Sequence, residues 1–227
     1  MRLKNLIRQD ICFQYKYGFY MVYVILVILY LCILYALPEG IREIAVKIMI
    51  LTDPAAMGLF FMGAIFMLEK SQRVLNSIAV SPVRTWEYIM SKAISIGLIS
   101  IVVAAVLSFL SGVDNLIGIL IGTLLGSVIF TMLGLLIALK TSTLNSFMVC
   151  TVPIEVIFFT PALLYLFGVR SPFLLLHPAC SVMHLYLSLD GWIGVCILIC
   201  TIWILVILWI TNQTLKKMMK QIGGMKI

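Results

Sequence analysis

The stretch "GFYMVYVILVILYLCILYAL" occupies residues 18–37 and contains no charged residue. A helix rises about 1.5 Å per residue, so a run of this length is long enough to cross the roughly 30 Å hydrocarbon layer of a bilayer. Every face of such a helix is apolar, which predicts burial or contact with lipid rather than with water. The stretch therefore predicts a membrane-spanning helix.

The whole chain has the composition of a membrane protein. Of its 227 residues, 63% are hydrophobic and 11% are charged, whereas roughly a quarter of the residues of a soluble domain are charged. The mean hydropathy is +1.17. A soluble protein of this length would lack the polar surface it needs, so the composition predicts an integral membrane protein.

Six apolar runs indicate an all-α, polytopic fold in a single transmembrane domain. The second run is short and must borrow residues beyond its ends, although Asp53 followed by Pro54 is a good helix opening. The predicted spans are residues 18–37, 54–68, 86–110, 116–139, 146–167 and 192–211.

The distribution of cations predicts which side each loop faces. The N-terminus, the loop between spans two and three, the loop between spans four and five, and the C-terminus together carry all 16 basic residues except Arg42, Lys47 and Arg170. The positive-inside rule then places both termini in the cytoplasm. The net charge of +7 is therefore an orientation signal and an attraction to anionic lipid, and it does not predict nucleic-acid binding. Lys92, near the start of the third span, is expected to snorkel toward water.

Residues 1–17 predict an amphipathic helix at the membrane surface. Leu3, Ile7 and Ile11 recur every four residues, with Lys4 and Arg8 on a neighbouring stripe. A disordered basic tail is the alternative interpretation.

The loop "LEKSQRVLNSIAVSPVRTWEYIMSK", residues 68–92, predicts a second short amphipathic helix over residues 70–80. Ser71 is the expected N-cap of this helix. Ser81 before Pro82 should end it, because the residue before proline is displaced from the α region. Thr85 should then cap the third span, with Glu87 in its first turn.

This loop resembles the intracellular loop of type-2 ABC export permeases. The shared pattern is an acidic residue ending the second span, a basic turn, an amphipathic helix, Ser/Thr-Pro, and then an aromatic-acidic step and a lysine. Glycine is frequent after the basic pair in that family, but Gln72 and Arg73 stand there in this chain. The residues that match the pattern are Glu69, Lys70, Arg73, Leu75, Ser81, Pro82, Glu87 and Lys92.

The resemblance implies that residues 70–80 form a coupling helix seated on a separate ATP-binding subunit. Two ATP-binding subunits would serve two permease copies, either identical or homologous. ATP and Mg²⁺ would bind to the partner, and this chain would hold no cofactor. The expected coupling residues are Glu69, Lys70, Arg73, Val74, Leu75, Ile78, Ser81 and Pro82.

No phosphate-binding loop of the chain's own is expected. "GLLIALKT", residues 134–141, has leucine where the second glycine of a Walker A loop must stand, and it ends a membrane span instead of following a strand. ATP hydrolysis would therefore take place on another polypeptide.

Glu155 is the acidic residue deepest in a predicted span. A carboxylate at mid-membrane is costly, so a functional role is the default expectation. We expect it to line the substrate path or the seam between subunits; a protonated acid hydrogen-bonded to a neighbouring helix is the alternative. With the second and fifth spans bordering the path, as the resemblance implies, the other expected residues are Pro153, Phe158, Met57 and Phe61.

Two further features predict packing rather than chemistry. Gly118, Gly122 and Gly126 recur every fourth residue and predict close helix contact, more readily inside one subunit than between two. In the external segment, residues 168–190, His177 and His184 flank "PACSVM" but lack the four ligands of a closed metal site. We therefore expect no metal there, and expect short re-entrant helices that close an outer gate, as the resemblance also implies.

Composition predicts a multi-pass membrane protein, and the resemblance implies that it is the non-enzymatic permease subunit of an exporter in the bacterial cytoplasmic membrane. Its expected cargo is an amphipathic or hydrophobic drug, antimicrobial peptide or lipid. The alternative is a self-contained proton-coupled carrier or channel that uses Glu155. Co-purification with an ATPase would favour the first function, and transport by the purified chain alone would favour the second.

Overall fold

The computed structural model describes residues 2–52, 56–187 and 190–222, and these are almost entirely helical, without a strand. The all-α fold class is confirmed. The elements in chain order are α1 (Arg2–Lys16), α2 (Phe19–Ala36), α3 (Glu39–Ile50), α4 (Met57–Ser71), α5 (Val74–Val80), α6 (Thr85–Leu110), α7 (Leu116–Lys140), α8 (Leu144–Leu166), a 3₁₀ helix (Pro172–Leu176), α9 (Pro178–Leu187) and α10 (Ile193–Ile222).

Five of the described helices are long and apolar enough to cross a bilayer, namely α2, α6, α7, α8 and α10. The second predicted span corresponds to α4, whose 15 residues cover only about 22 Å at the helical rise per residue. The expected helix opening at Asp53 and Pro54 lies outside the described residues. The count of six spans therefore stays a prediction.

Helix α7 is the centre of the bundle and packs against α4, α6, α9 and α10. Glycine makes the closest of these contacts. A Cβ at Gly134 would overlap the backbone of Leu59 on α4, and a Cβ at Gly58 would overlap the Thr131 hydroxyl on α7. Because apolar burial drives little association between helices in lipid, close backbone packing of this kind is what holds such helices together.

Helices α2 and α8 lie at the periphery. Only Tyr23 and Leu34 of α2 are buried, and the rest of this uncharged helix exposes large side chains such as Ile25 and Ile28. A helix that is apolar all round and exposed is stable only where its surroundings are apolar too. The exposed apolar surface of the bundle is therefore its lipid-facing surface or a surface for another subunit.

Helix α3 was not predicted from the sequence. Pro38 precedes it, Glu39 stands in its first turn, and Val46, Lys47 and Ile50 are buried. Lys47, one of the three cations predicted to lie on the side opposite the other basic residues, is buried and pairs with Glu43 across one turn (2.5 Å). The start of this helix could have been inferred from proline followed by an acidic residue.

The largest differences from the predicted boundaries are at the junction of α4 with α5 and at the end of α10. Residues 70 and 71 belong to α4, so the short helix begins at Val74. Helix α10 continues past residue 211 to Ile222, because its lysine-rich end contains good helix formers and no break. The bundle has two ends, called here the α5 end, where α1 and α5 line one cavity, and the α9 end, where α3 and α9 both lie close to the turn between α6 and α7.

Candidate functional site

The turn before α5 is made by a residue in a left-handed conformation. Ser71 is not the N-cap, as expected, but the last residue of α4, where its hydroxyl donates to the Leu68 carbonyl (2.8 Å). The N-cap is Arg73, with φ 58° and ψ 19°. Among the described residues it is the only non-glycine with positive φ. An L-residue in this conformation costs roughly 1–2 kcal/mol. The tight turn nevertheless forms without the glycine that similar permeases often carry.

The other end of α5 follows the sequence prediction. Ser81 is extended (φ −82°, ψ 158°) and ends the helix before Pro82. Glu87 lies in the first turn of α6 and accepts a hydrogen bond from the Arg84 backbone nitrogen (2.8 Å). Thr85 is not the cap of α6 but its first residue, and its hydroxyl bonds the Asn212 side chain on α10.

Helix α5 has an anchored face and an exposed face. Leu75 is buried, Val74 and Ile78 are half-buried, and the helix packs against α4 and α10. Val80 is 83% exposed. The exposed residues of α5 and its flanks, which another protein could contact, are Lys70, Arg73, Asn76, Ser77, Val80 and Pro82.

A buried ionic cluster lies directly behind α5. Lys92 is 2% exposed, so the prediction that it snorkels is wrong. Its ammonium group binds Asp10 Oδ1 (2.5 Å) and Glu69 Oε1, and Tyr88 donates its hydroxyl to Glu69 Oε2 (2.5 Å). The lysine is stable in the interior because two carboxylates compensate its charge, as buried ions require.

The cluster gives the expected coupling residues different positions. Glu69 and Leu75 are interior residues that hold α4 and α5 in place, and their side chains are inaccessible to a partner. Lys70 and Arg73 are exposed. The role of this set in coupling stays a prediction.

Helix α1 belongs to this site, which the sequence did not indicate. It forms as predicted, but it packs against α6 and buries Asp10 and Gln14. Gln14 donates to Ser95 Oγ (2.9 Å), and Gln72 donates to Tyr17 Oη. The sequence feature that could have indicated this packing is a pair of polar residues: Asp10 and Gln14 are four residues apart, on one face of the helix.

The residues expected along a substrate path fall into two groups. Phe61 on α4 packs against Phe19 and Tyr23 of α2, with ring centroids 5.1 and 4.9 Å apart. Phe158 on α8 packs against Phe130 of α7 (5.6 Å) and His177 (5.0 Å). The structure therefore does not join these two aromatic residues in one cluster.

Glu155 is half-buried and makes no hydrogen bond within the part of the chain that the structure describes. Val152, Val156 and Ile157 around it are more than half exposed. Pro153 is exposed on the same helix, and Met57 is half-buried at the start of α4. The carboxylate thus lies at the edge of an apolar, exposed face of α8.

The segment predicted to be external folds into the bundle. Every residue of α9 from Pro178 to Tyr186 is buried, among α7, α8 and α10. A Cβ at Gly118 would overlap the Leu185 carbonyl, and a Cβ at Gly122 would lie 2.7 Å from the Tyr186 ring. Two of the three glycines therefore allow close packing of α9 against α7 within one subunit. The third, Gly126, is also buried.

His184 holds this segment by both ring nitrogens. Nδ1 lies 2.8 Å from the Tyr165 hydroxyl, and Nε2 lies 2.9 Å from Asp190 Oδ1. His177 instead packs against Phe158. The two histidines therefore lie in different environments, although they are only seven residues apart.

Comparison with known proteins agrees with this architecture. Two proteins of Mycobacterium tuberculosis, from strains CDC 1551 / Oshkosh and ATCC 25618 / H37Rv, are each named a fluoroquinolones export permease protein. Each is 26% identical to this chain over 191 residues, which is 78% of this chain and 81% of the relative. The family model of the fluoroquinolones export permease protein family matches residues 1–221.

The family match covers nearly the whole chain, including the α4–α5–α6 unit, and confirms the resemblance to type-2 ABC export permeases that this loop predicted. The chain is therefore a multi-pass membrane protein and a transporter subunit, with no enzymatic role implied. The chain belongs to the fluoroquinolones export permease protein family.

Proposed function

We propose that this chain is the membrane subunit of an ATP-driven exporter whose ATP hydrolysis takes place on a separate ATP-binding subunit. The observation that carries this proposal is α5, a seven-residue helix anchored on one side and exposed on the other. An isolated helix this short is not stable in water. Its order comes from the bundle, so a load applied to its exposed face passes into the bundle.

The contacts of α5 provide the route for that load. The helix packs on α4 and α10. The Lys92 cluster ties the end of α4 to α6 and α1, and Thr85 ties the start of α6 to α10. A displacement of α5 would therefore move several helices together and convert an inward-open cavity into an outward-open one.

The proposed orientation places the α5 end and both termini in the cytoplasm, in a bacterial cytoplasmic membrane. The cation distribution supports this orientation, and the mycobacterial relatives support the bacterial membrane. In the complete transporter, two ATP-binding subunits would serve two permease copies, or one copy and a homologous partner.

Glu155 supports a role for α8 at the subunit seam or on the cargo path. Contact with lipid is unfavourable for a carboxylate on an exposed, apolar helix face. Contact with a second permease or a polar cavity would remove this unfavourable free energy. We propose an amphipathic or hydrophobic cargo. Among drugs, peptides and lipids, the names of the relatives favour a drug.

The test is a pair of matched substitutions at opposite ends of the molecule. Val80→Asp places a charge on the exposed face of α5. Val169→Asp makes the same change at a residue that is 52% exposed at the α9 end. Each variant is purified, reconstituted in lipid vesicles with the ATP-binding subunit that serves this permease, and assayed for partner affinity and cargo-stimulated ATP hydrolysis.

We expect Val80→Asp to weaken binding of the ATP-binding subunit at least about tenfold, because it would bury an unpaired carboxylate at the interface. Stimulated hydrolysis should fall with it, while Val169→Asp should match the unmodified chain. Equal behaviour of the two variants would refute the docking role of α5. Transport by the purified chain without any ATPase would refute the proposed function and favour the self-contained carrier.

A further inference from the structure

Helix α10 is longer than the bilayer requires. Its 30 residues extend about 45 Å at the helical rise per residue, against roughly 30 Å of hydrocarbon. Its apolar sequence ends at Ile210, and four polar residues follow at positions 211–214. We call residues 211–222 the α10 extension. It begins where the hydrocarbon layer ends, on the proposed cytoplasmic side.

One face of the α10 extension is fixed against the bundle. Leu215 is fully buried, and Met218 and Met219 pack against the core. The Thr85 hydroxyl at the start of α6 donates to the Asn212 side chain. Because α10 begins beside α9 and reaches the start of α6 at Asn212, its contact with α5 lies in this last part of the helix. The α10 extension is therefore an ordered neighbour of the proposed coupling helix.

The opposite face of the α10 extension is basic. Lys216, Lys217 and Lys220 are exposed, together with Gln213. These positions lie on one side of the helix, since residues three and four apart share a face. The ion pairs found among the described residues all involve other cations. The three lysines are therefore available to an anionic partner.

The rest of the α5 end does not supply that anion. Of its described acidic side chains, Asp10 and Glu69 are buried, and Glu87 is half-buried and caps α6. This end of the molecule therefore presents a positive surface, which attracts an acidic surface and repels a basic one. The other exposed basic residues of this end are Lys4, Arg8, Lys16, Lys70, Arg73, Arg84 and Lys140.

Anionic lipid headgroups are a second source of negative charge on this side, and distance from the hydrocarbon separates the two sources. The headgroup layer extends roughly 5–8 Å beyond the hydrocarbon. Lys216 and Lys220 follow Ile210 by 6 and 10 residues, which is about 9 and 15 Å along the helix axis. A typical tilt of about 20° shortens these distances by less than about a tenth. The lysines therefore lie beyond the headgroups, where a soluble protein can contact them.

We infer that the α10 extension and the exposed face of α5 form one docking surface, on which Lys216, Lys217 and Lys220 bind carboxylates of an acidic face of the ATP-binding subunit. The inference rests on the proposed function, because it assigns the chemistry of the partner's surface beside α5. Val80 supplies an apolar contact and the lysines supply charge, so the two contributions can be removed separately.

The test neutralises the three charges. The variant Lys216→Gln/Lys217→Gln/Lys220→Gln keeps side chains that are polar and good helix formers. The matched control, Lys4→Gln/Arg8→Gln/Lys16→Gln, removes the same number of exposed charges from α1 at the same end of the molecule. Each full-length chain is placed in lipid nanodiscs of phosphatidylcholine, which carries no net charge. Binding of the purified ATP-binding subunit is then measured at low and at high salt.

We expect the α10 variant to bind the subunit about tenfold more weakly at low salt, since three surface charge pairs of ordinary strength contribute about that much together. Most of the loss should be in the association rate. High salt should bring the unmodified chain toward the variant, because salt screens exposed charges. The α1 control should bind like the unmodified chain.

A carbodiimide provides an independent measurement on the unmodified proteins, because it joins a lysine amine directly to a carboxylate in contact with it. We expect amide crosslinks from lysines of the α10 extension to aspartate or glutamate of the ATP-binding subunit, located by mass spectrometry. Absence of these crosslinks would overturn the inference.

Equal affinity of the α10 variant and the unmodified chain would also overturn it, as would an equal loss in the α1 control. A loss that appears only in nanodiscs containing phosphatidylglycerol would assign the lysines to the membrane instead. Val80→Asp, measured in the same nanodiscs, separates the two proposals. If Val80→Asp weakens binding and the α10 variant does not, this inference alone fails. If the subunit does not bind even the unmodified chain, the proposed function fails with it.

Discussion

Replacing Lys92 by methionine should destabilise the protein more than any other single lysine substitution at the α5 end. The side chain is 2% exposed and binds two carboxylates that are themselves buried. Removing one partner of a buried ion pair costs about 3–5 kcal/mol, because the remaining charge stays in the interior without compensation. Lys92 also lines a cavity of about 310 Å³, and water in this cavity would moderate the loss, so we expect about 3 kcal/mol, near the lower limit.

For a chain of this size, each kcal/mol lowers the unfolding temperature by about 2–4 °C, so Lys92→Met should lower it by roughly 6–12 °C. The measurement is thermal unfolding in detergent, followed by intrinsic fluorescence. Lys70→Met is the matched control, because Lys70 is exposed and surface substitutions usually change stability by no more than about 0.5 kcal/mol.

The cause is tested by removing the charges that Lys92 compensates. Lys92→Met combined with Asp10→Asn and Glu69→Gln should regain most of the lost stability, since replacing all partners of a buried ionic group is often close to neutral. The reasoning is refuted if Lys92→Met is as stable as Lys70→Met, or if the triple variant is no more stable than the single one.

Two other substitutions examine the helix contacts. Gly134→Ala should destabilise the bundle by about 1–3 kcal/mol, because its Cβ would overlap the Leu59 backbone. Gly194 has open space around it, so the control Gly194→Ala should leave stability unchanged or raise it by up to about 1 kcal/mol. Thermal unfolding compares the two variants. Glu155→Gln should lower cargo export in reconstituted vesicles, or the fraction of permease that crosslinks as a pair, without lowering the unfolding temperature. A variant with normal export and normal pairing would remove Glu155 from the proposed site.

Local patterns predicted the parts of the fold that depend on neighbouring residues. The long apolar helices α2, α6, α7, α8 and α10 follow the predicted spans within a few residues, apart from the extension of α10, because length and hydropathy are properties of a continuous segment. The end of α5 at Ser81 was predicted for the same reason, since Pro82 restricts the residue before it.

The candidate site could be predicted only in part. The loop pattern indicated a short helix between α4 and α6, but its start at Val74 depends on the left-handed Arg73, and non-glycine residues rarely adopt that conformation. The acid beside Lys92 at the end of α4 is 23 residues away in sequence, and Asp10 is 82 residues away. No periodicity within one segment indicates such a contact.

The sequence by itself determined that the chain is a helical membrane protein with a short helix between two longer apolar helices. Hydrophobicity and backbone preference act over a few residues, so they can be inferred from consecutive residues of the chain. The tertiary structure alone decided that Lys92 is an interior residue, that α1 completes the site behind α5, and that α9 lies inside the bundle. Burial and charge pairing are properties of the assembled helices. The sequence around a lysine near the end of a span does not differ according to whether its side chain faces water or two carboxylates.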